Sequence, residues 1–440
     1  MNHRQHCREY FYWLVFVTVL LLSAAVLFSG DMLPEKTDIS WRWINSGIGG
    51  VMFFSIIYFA FLAISACFAP HWRKKEFFGC GCTVIVPAYN EGRQVAETLK
   101  SLLKSDFPKE KLQIIAVNDG SADDTLFWIR EVAAEYPEVV TVIDFPENTG
   151  KKAALCAGIR AAAFDYVVTV DSDTLVKPDT LEKLLYPLAD ETIGAVAGTI
   201  VKKSGKFNIH TLMCDVTLVF GCGLLRKAQS CCGNVFCTPG ALSAYRKRAI
   251  LPLLDEWLQQ TFMGMESRIG EDRAIATLLL RNNWRIVYQP DAVAETSLPE
   301  SYCGVCRMLL RWTRSDIREN LLMSKYVIKR FFTFKRGGIN MFCHWLLLSI
   351  NMLMPFLLIP SAVLLLFEPA DLAYKISLLF VVNVLWSLIP AAVYLNYRKS
   401  LRQVIWAFIF GFYAQFAVSW IAVYSFFTLR NSRWLTRELP

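Results

Sequence analysis

Apolar positions along the chain fall into three kinds of run. Residues 10–28, 44–70, 341–367 and 376–397 are uncharged, and each is close to or longer than the ~20 residues that a helix needs to span a membrane. A secretory signal would explain the first run, but it is long for that and no small-x-small cleavage site follows. A fifth uncharged run covers 403–429. Arg398, Lys399 and Arg402 precede it, and Arg430, Arg433 and Arg437 follow. Basic flanks mark the cytoplasmic side, so an interfacial or re-entrant path, breaking near Gly411, is expected over a plain crossing. Irregular backbone at that depth has to pack on protein or line a cavity.

The second kind of run lies between residues 80 and 300. Short continuous apolar stretches alternate there with helically spaced ones. Strands are expected at Cys82–Pro87, Leu112–Val117, Val139–Phe145, Tyr166–Val170 and Gly194–Val201. Helices are expected at Glu91–Leu103, Asp123–Ala134, Lys151–Ala163 and Glu271–Arg281. Strand–helix alternation with apolar strands predicts a parallel, doubly wound α/β sheet. The third kind covers Glu300 to about Phe334. Arg307, Arg311, Arg314, Arg318, Lys325, Lys329 and Arg330 alternate with Met308, Leu309, Leu310, Trp312, Ile317, Leu321 and Leu322, a basic amphipathic pattern suited to a membrane surface.

Composition agrees with the spans. Hydrophobic residues make up 54% and mean hydropathy is +0.35, too apolar for a soluble protein. The net charge of +8 raises the question of nucleic acid. The basic residues flank apolar runs rather than forming one stripe, so membrane lipid is the expected partner and nucleic acid is not. Arg4 and Arg8 precede the first run, and Arg73, Lys74 and Lys75 follow the second. The N-terminus and the segment from His71 onward are therefore expected in the cytoplasm, in a multi-pass protein of the cell membrane. Thirteen Cys are scattered, and none falls in the loop 29–43. No disulfide framework is expected, and Cys303-x-x-Cys306 lacks a second pair at zinc spacing. The resulting division is 1–75, two transmembrane helices; 76–300, a cytoplasmic α/β domain; 301–335, amphipathic interface helices; and 336–440, two spans, a third apolar segment and a basic tail.

Candidate chemistry centres on Tyr166–Asp173, an apolar strand running into two carboxylates, Asp171 and Asp173. A strand of a parallel sheet delivers its last residues to the carboxyl edge, where α/β proteins bind ligands. Two close carboxylates repel unless a cation sits between them, and a hard divalent cation with the phosphates it bridges fits there. Taken alone, a loop start and a helix cap account for the acids equally well. Three more motifs follow predicted strands and so share that edge: Val-Pro-Ala-Tyr-Asn-Glu (86–91), Val-Asn-Asp-Gly-Ser-Ala-Asp-Asp-Thr (117–125) and Asn-Thr-Gly-Lys-Lys (148–152). Gly-Glu-Asp-Arg (270–273) and Leu-Arg-Trp-Thr-Arg-Ser (310–315) come later.

This ordered series resembles the family 2 processive glycosyltransferases, membrane enzymes with a GT-A (Rossmann-like) domain. It is most similar to bacterial hyaluronan synthases, with chitin-oligosaccharide and poly-N-acetylglucosamine synthases nearby. Gln260–Gly264, Arg311-Trp312-x-x-Ser315 and the tail Phe427–Arg437 add to the likeness. The resemblance implies that Tyr89, Glu91 and Asp119 meet the uridine and that Lys151 meets the diphosphate. It implies that Asp171 and Asp173 hold Mg²⁺ or Mn²⁺, and that Asp272 is the base deprotonating the acceptor hydroxyl. Arg311 is implied as a diphosphate clamp and Trp312 as a stacking platform for the acceptor sugar. Outside the resemblance, Asp272 reads equally as a first-turn helix acid and Trp312 as a core aromatic.

Two positions depart from the family pattern. Met308 stands where a Gln precedes the Arg-Trp pair, and Thr238-Pro239-Gly240-Ala241 replaces Cys-Ser-Gly-Pro. Both lie on the acceptor side. The function implied is processive, inverting β-transfer from UDP-sugars, N-acetylglucosamine alone or alternating with glucuronic acid, with export of the growing polysaccharide. Transfer of one sugar to a lipid or short oligosaccharide acceptor is the alternative within the enzyme class. A non-catalytic nucleotide-sugar-binding protein is the alternative outside it, and a transporter would leave the α/β domain unexplained.

Overall fold

The computed structural model describes residues 39–72, 80–203, 205, 208–335, 337–367, 372–398 and 401–431. The expected span 10–28 and the basic tail Arg433–Arg437 lie outside the described residues. Ten strands form: β1 Cys82–Ala88, β2 Leu112–Asn118, β3 Val140–Asp144, β4 Tyr166–Thr169, β5 Thr174–Val176, β6 Ile193–Lys202, β7 Ser243–Arg246, β8 Thr261–Phe262, β9 Met265–Glu266 and β10 Arg285–Thr296. Eight of them make one sheet in the order β3-β2-β1-β4-β7-β6-β10-β5, and β8 and β9 make a separate hairpin.

The expected parallel sheet holds for β3-β2-β1-β4 and not beyond. β7 runs antiparallel to both β4 and β6, β6 and β10 are parallel, and β5 closes the far edge antiparallel to β10. The chain enters β7 from the edge that β4 leaves, so the loop before β7 meets the ends of the parallel strands. The sheet as a whole is therefore mixed.

Strand alternation explains the continuous apolar runs. Val84, Val86, Ile114, Ala116, Val168 and Val196 point into one core; Ile85, Ile115, Val117, Val167, Ala195 and Ala197 point into the other. A strand covered on both faces has no polar positions to alternate. At about 25 cal/mol per Å² of apolar surface, each fully buried Val or Ile contributes about 1.5–3 kcal/mol.

Beside this domain lie the helices Ile39–Cys67, Gly338–Phe367 and Leu372–Arg398. Among the described residues two helices, Ile209–Ser230 and Gly338–Phe356, are long and apolar enough to cross a membrane. Val404–Ala417 and Trp420–Phe427 make a third candidate if the pair is one span, bent by 45°. The bend lies after Ala417, not near Gly411 as expected. Gly411 is helical and presses on the helix Leu372–Arg398: a Cβ there would meet Ser387 Oγ at 2.0 Å. The break is satisfied by side chains. Ala417 O accepts from Tyr302 Oη (2.5 Å) and Trp420 Nε1 (3.1 Å).

The apolar character of Ile209–Ser230 was absent from the sequence reading because Asp215 interrupts it inside an otherwise soluble stretch. Asp215 is buried, and it accepts hydrogen bonds from Tyr394 Oη (2.7 Å) and from the Lys202 backbone N–H (3.1 Å). Around it Val216, Val219, Leu224 and Ala228 pack on Tyr58, Leu62, Ala66, Val393 and Tyr394. This segment docks the sheet onto the apolar helices.

Tyr302–Phe332 is a single helix capped by Ser301, whose Oγ accepts from Gly304 N–H at 3.1 Å. Its expected membrane-surface face is only partly exposed. Arg314 and Arg318 are each 2% exposed. Arg314 donates twice to Thr428 Oγ1 (3.1 and 2.8 Å). Arg318 donates to Leu429 O (2.8 Å) and Asn431 O (2.8 Å). The first turns expose Tyr302, Cys303 and Arg307, and the last third presents Leu321, Leu322, Lys325, Ile328, Lys329 and Phe332 outward.

Candidate active site

The parallel half-sheet sets the site. β1, β2 and β4 share a direction, so the residues that follow them emerge at one edge. Tyr89 follows β1 and is half-buried, and Glu91 lies two residues on. Glu91 Oε1 accepts from Ser172 Oγ at 2.7 Å, which ties it to the residue between the two acids after β4.

Asp119 follows β2 and is 3% exposed. Its Oδ1 accepts from Thr149 N–H (2.8 Å) and Thr149 Oγ1 (3.0 Å), and its Oδ2 from Gly150 N–H (3.0 Å). The carboxylate therefore shapes the loop that opens the helix Lys151–Ala161. Burial raises its pKa against the opposing pull of these hydrogen bonds.

Lys151, the first residue of that helix, bridges two carboxylates. Its Nζ lies 2.6 Å from Asp171 Oδ1 and 2.7 Å from Glu271 Oε1. Burial works against the ammonium, yet Asp171 and Glu271 outweigh it and hold the pKa up. A Cβ on Gly240 would meet Lys151 Nζ at 2.6 Å and Asp171 Oδ1 at 3.2 Å, so a side chain there would push the ammonium out of its bridging position.

Glu271 and Asp272 open the helix Glu271–Arg281, where carboxylates complement the helix dipole. Gly270 supplies the left-handed turn before it, with φ 78°. Asp272 Oδ1 accepts from Arg273 N–H (2.8 Å) and Oδ2 from the Cys237 thiol (3.4 Å). Thr238 Oγ1 donates to Asp272 O (3.0 Å) and accepts from Tyr245 Oη (3.0 Å). Burial first, and then the Glu271 charge, push the Asp272 carboxyl up to about 6. Burial also raises Glu271, but Lys151 and then Arg311 outweigh it and leave its pKa lowered. Two adjacent carboxylates are thus driven apart, a pattern that separates a permanent anion from a proton acceptor near neutral pH. Both line a small pocket with Thr238, Gly240, Tyr245 and Trp257.

Arg311 and Trp312 stand half-buried on the helix Tyr302–Phe332. Trp312 packs with Met308, Val305, Leu298, Leu309 and Cys214. The structure therefore gathers Lys151, Asp171 and Asp272 around Glu271, with Arg311 acting on the same carboxylate. It sets Asp119 to ordering a loop and Trp312 in an apolar cluster to one side. Met308 is 5% exposed in that cluster, so the position is an apolar wall. The sequence reading passed over Glu271 and Cys237, and it put Gly240 on the acceptor side, whereas Gly240 lies against Lys151 and Asp171. Glu271 stands in the Gly-Glu-Asp-Arg motif, and its acid beside an acid was the available signal. Nothing local marked Cys237.

Asp173 Oδ1 accepts from Thr174 Oγ1 (3.3 Å) and Thr296 Oγ1 (3.4 Å). Among the described residues no group of three or more His, Cys, Asp or Glu could hold a metal ion by itself. Asp171 and Asp173 offer two hard oxygen donors, and Asp171 already draws an ammonium to 2.6 Å. That donor set suits a Mg²⁺-type ion completed by substrate phosphates.

Residues 83–252 match the family described as Glycosyl transferase family 2. An N-acetylglucosaminyltransferase of Mesorhizobium japonicum is 37% identical over 241 residues, 54% of this chain and 56% of that protein. One from Azorhizobium caulinodans is 35% identical over 56% of this chain and 63% of its own length. The chain thus spans less than two thirds of these relatives. A hyaluronan synthase of Streptococcus pyogenes is 28% identical over 89% of this chain and 91% of that protein. Among solved structures, a mannosyltransferase from Pyrobaculum calidifontis, in complex with GDP-Man and Mn²⁺, aligns with TM-score 0.53 at 21% identity. The alignment covers 85% of this chain and 99% of that one, a likeness of fold.

Proposed function

We propose, from the premise that this chain carries a glycosyl transferase family 2 domain, that it is a processive, inverting β-glycosyltransferase using UDP-sugars. The observation that carries the reading is the convergence of Lys151, Asp171, Glu271 and Asp272 at the edge where the parallel strands end. N-acetylglucosamine is the favoured donor sugar, since the N-acetylglucosaminyltransferase and hyaluronan synthase relatives share it by family resemblance.

Tyr89 and Glu91 would face the uridine, with Asp119 holding the loop that closes beside it. Lys151 and Arg311 would bind the diphosphate, and a guanidinium fork suits phosphate oxygens. Asp171 and Asp173 would hold a divalent ion, which when bound neutralises charge on the departing diphosphate. Asp272 would take the proton of the acceptor hydroxyl. The acceptor oxygen then bonds the anomeric carbon as that carbon's bond to UDP breaks, and UDP leaves with the electron pair. Placement and fixed charges supply most of the rate. Trp312 with its apolar cluster would form the acceptor platform, and the growing polysaccharide would leave between the apolar helices. Leu321, Lys325, Ile328, Lys329 and Phe332 would rest on the membrane surface of a cytoplasmic leaflet.

Purified protein given UDP-N-acetylglucosamine, with and without UDP-glucuronic acid, tests this. The expected result is divalent-metal-dependent UDP release and a polymer on a gel, digested by chitinase or hyaluronidase according to the sugars taken. A product of one sugar on a lipid would overturn processivity. No UDP release from any UDP-sugar would overturn the reading.

A further inference from the structure

Glu271 has no part in the roles just assigned, yet it is a buried carboxylate paired inside the site. It is 6% exposed. Lys151, from the helix on the donor side, lies 2.7 Å from its Oε1. Arg311, from the helix Tyr302–Phe332, acts on the same carboxylate. Its backbone carbonyl accepts from Trp257 Nε1 at 3.1 Å. A first-turn acid serving only the helix dipole could stay in solvent, where it would contribute about 0.3–1 kcal/mol. Burying a carboxylate is costly unless it is paired, and this one is paired with Lys151, a cation of the proposed donor site.

We propose that Glu271 is a positioning residue for the donor diphosphate: it holds Lys151 between itself and Asp171. The inference rests on the donor-site reading above. Lys151 bridges one carboxylate that is free to turn to a metal, Asp171, and one that is not, Glu271. The second anchor keeps the ammonium in place when Asp171 changes partner. It also leaves the trio of Lys151, Asp171 and Glu271 with a net charge of −1, which favours an incoming divalent cation. With Glu271 neutral, the trio is uncharged and Lys151 pairs with Asp171 alone. The ammonium then competes with the metal for that oxygen.

The test is UDP binding to the purified full-length protein by calorimetry, with Mn²⁺ present, alongside thermal melting. Glu271→Gln keeps the shape and removes the charge. The expected result is about a tenfold loss of UDP affinity, which corresponds to about 1.4 kcal/mol, together with a donor KM that rises more than kcat falls. In a Lys151→Met background the same substitution should change UDP affinity less than threefold, because the residue acts through Lys151. Gly240→Ala reaches the same ammonium without altering a charge, since its Cβ would lie 2.6 Å from Lys151 Nζ. It should weaken UDP binding in the same direction, and it keeps the test open if Glu271→Gln does not fold. A lowered melting temperature with unchanged UDP affinity in these variants overturns the inference and leaves the donor site standing. Absence of UDP binding by the wild-type protein overturns both.

Discussion

The proposed donor edge and the proposed acceptor helix of this protein are built by different means. On the donor side, four parallel strands end at one edge, and each functional side chain follows its strand by a few residues. Backbone hydrogen bonding places Tyr89, Asp119 and Asp171, and little else is needed. On the acceptor side, Met308, Trp312, Arg314 and Arg318 ride on one long helix. What covers each face is decided by segments more than a hundred residues away in sequence, such as Thr428–Asn431. The lesson is that a sheet edge carries its chemistry in local sequence, whereas a helix face takes its meaning from whatever packs on it.

The contrast can be attacked first where the effect is largest. Asp272→Asn keeps the shape of the helix start but removes the proton acceptor. Turnover should fall by about 10³-fold, within the usual range for loss of a general base, while UDP binding stays within a few-fold of wild type. Near wild-type turnover in the purified variant would sink the assignment.

Gly270 is where the two halves touch. It has φ 78°, and a Cβ would meet Ser315 Oγ at 1.7 Å. Gly270→Ala combines left-handed strain with overpacking, so we expect a loss of about 3 kcal/mol, visible as a lower melting temperature in detergent. An unshifted melt would mean that the helix Tyr302–Phe332 does not press on the Asp272 turn.

A smaller effect is expected at the docking of the sheet onto the apolar helices. Tyr394→Phe removes one hydrogen bond to buried Asp215 and should cost about 2 kcal/mol, with donor KM unchanged. The smallest is Met308→Gln, which restores the residue type of the family pattern. An amide placed in the cluster of Cys214, Val305 and Leu309 should cost about 1 kcal/mol unless it finds a partner. A gain in polymer length or turnover instead would show that this wall faces substrate.

Sequence patterning made the parallel half of the sheet legible. The strands fell within about two residues of their observed ends, and the family resemblance led to the expectation that Lys151 meets a diphosphate. It met two carboxylates of its own chain. The mixed half of the sheet was not legible, because strand direction depends on which edge the chain enters from, and nothing in Ser243–Arg246 records that. Nor was the burial of Arg314 and Arg318: a basic stripe at helical spacing looks the same whether lipid headgroups or a threonine hydroxyl and backbone carbonyls receive it. The break after Ala417 was misplaced at Gly411 because glycine marks close helix contact as well as flexibility. Glu271 was overlooked since an acid at a helix start already has an ordinary explanation.

The central claim is that the buried carboxyl of Asp272 is the working base of the donor edge. The pH profile of kcat/KM for UDP-N-acetylglucosamine tests it most directly. Burial and the neighbouring Glu271 hold that carboxyl up at about 6, and a base works only when deprotonated. The account predicts a rate that is level above pH 7 and falls as pH drops through about 6. A profile that stays flat down to pH 5 would contradict it.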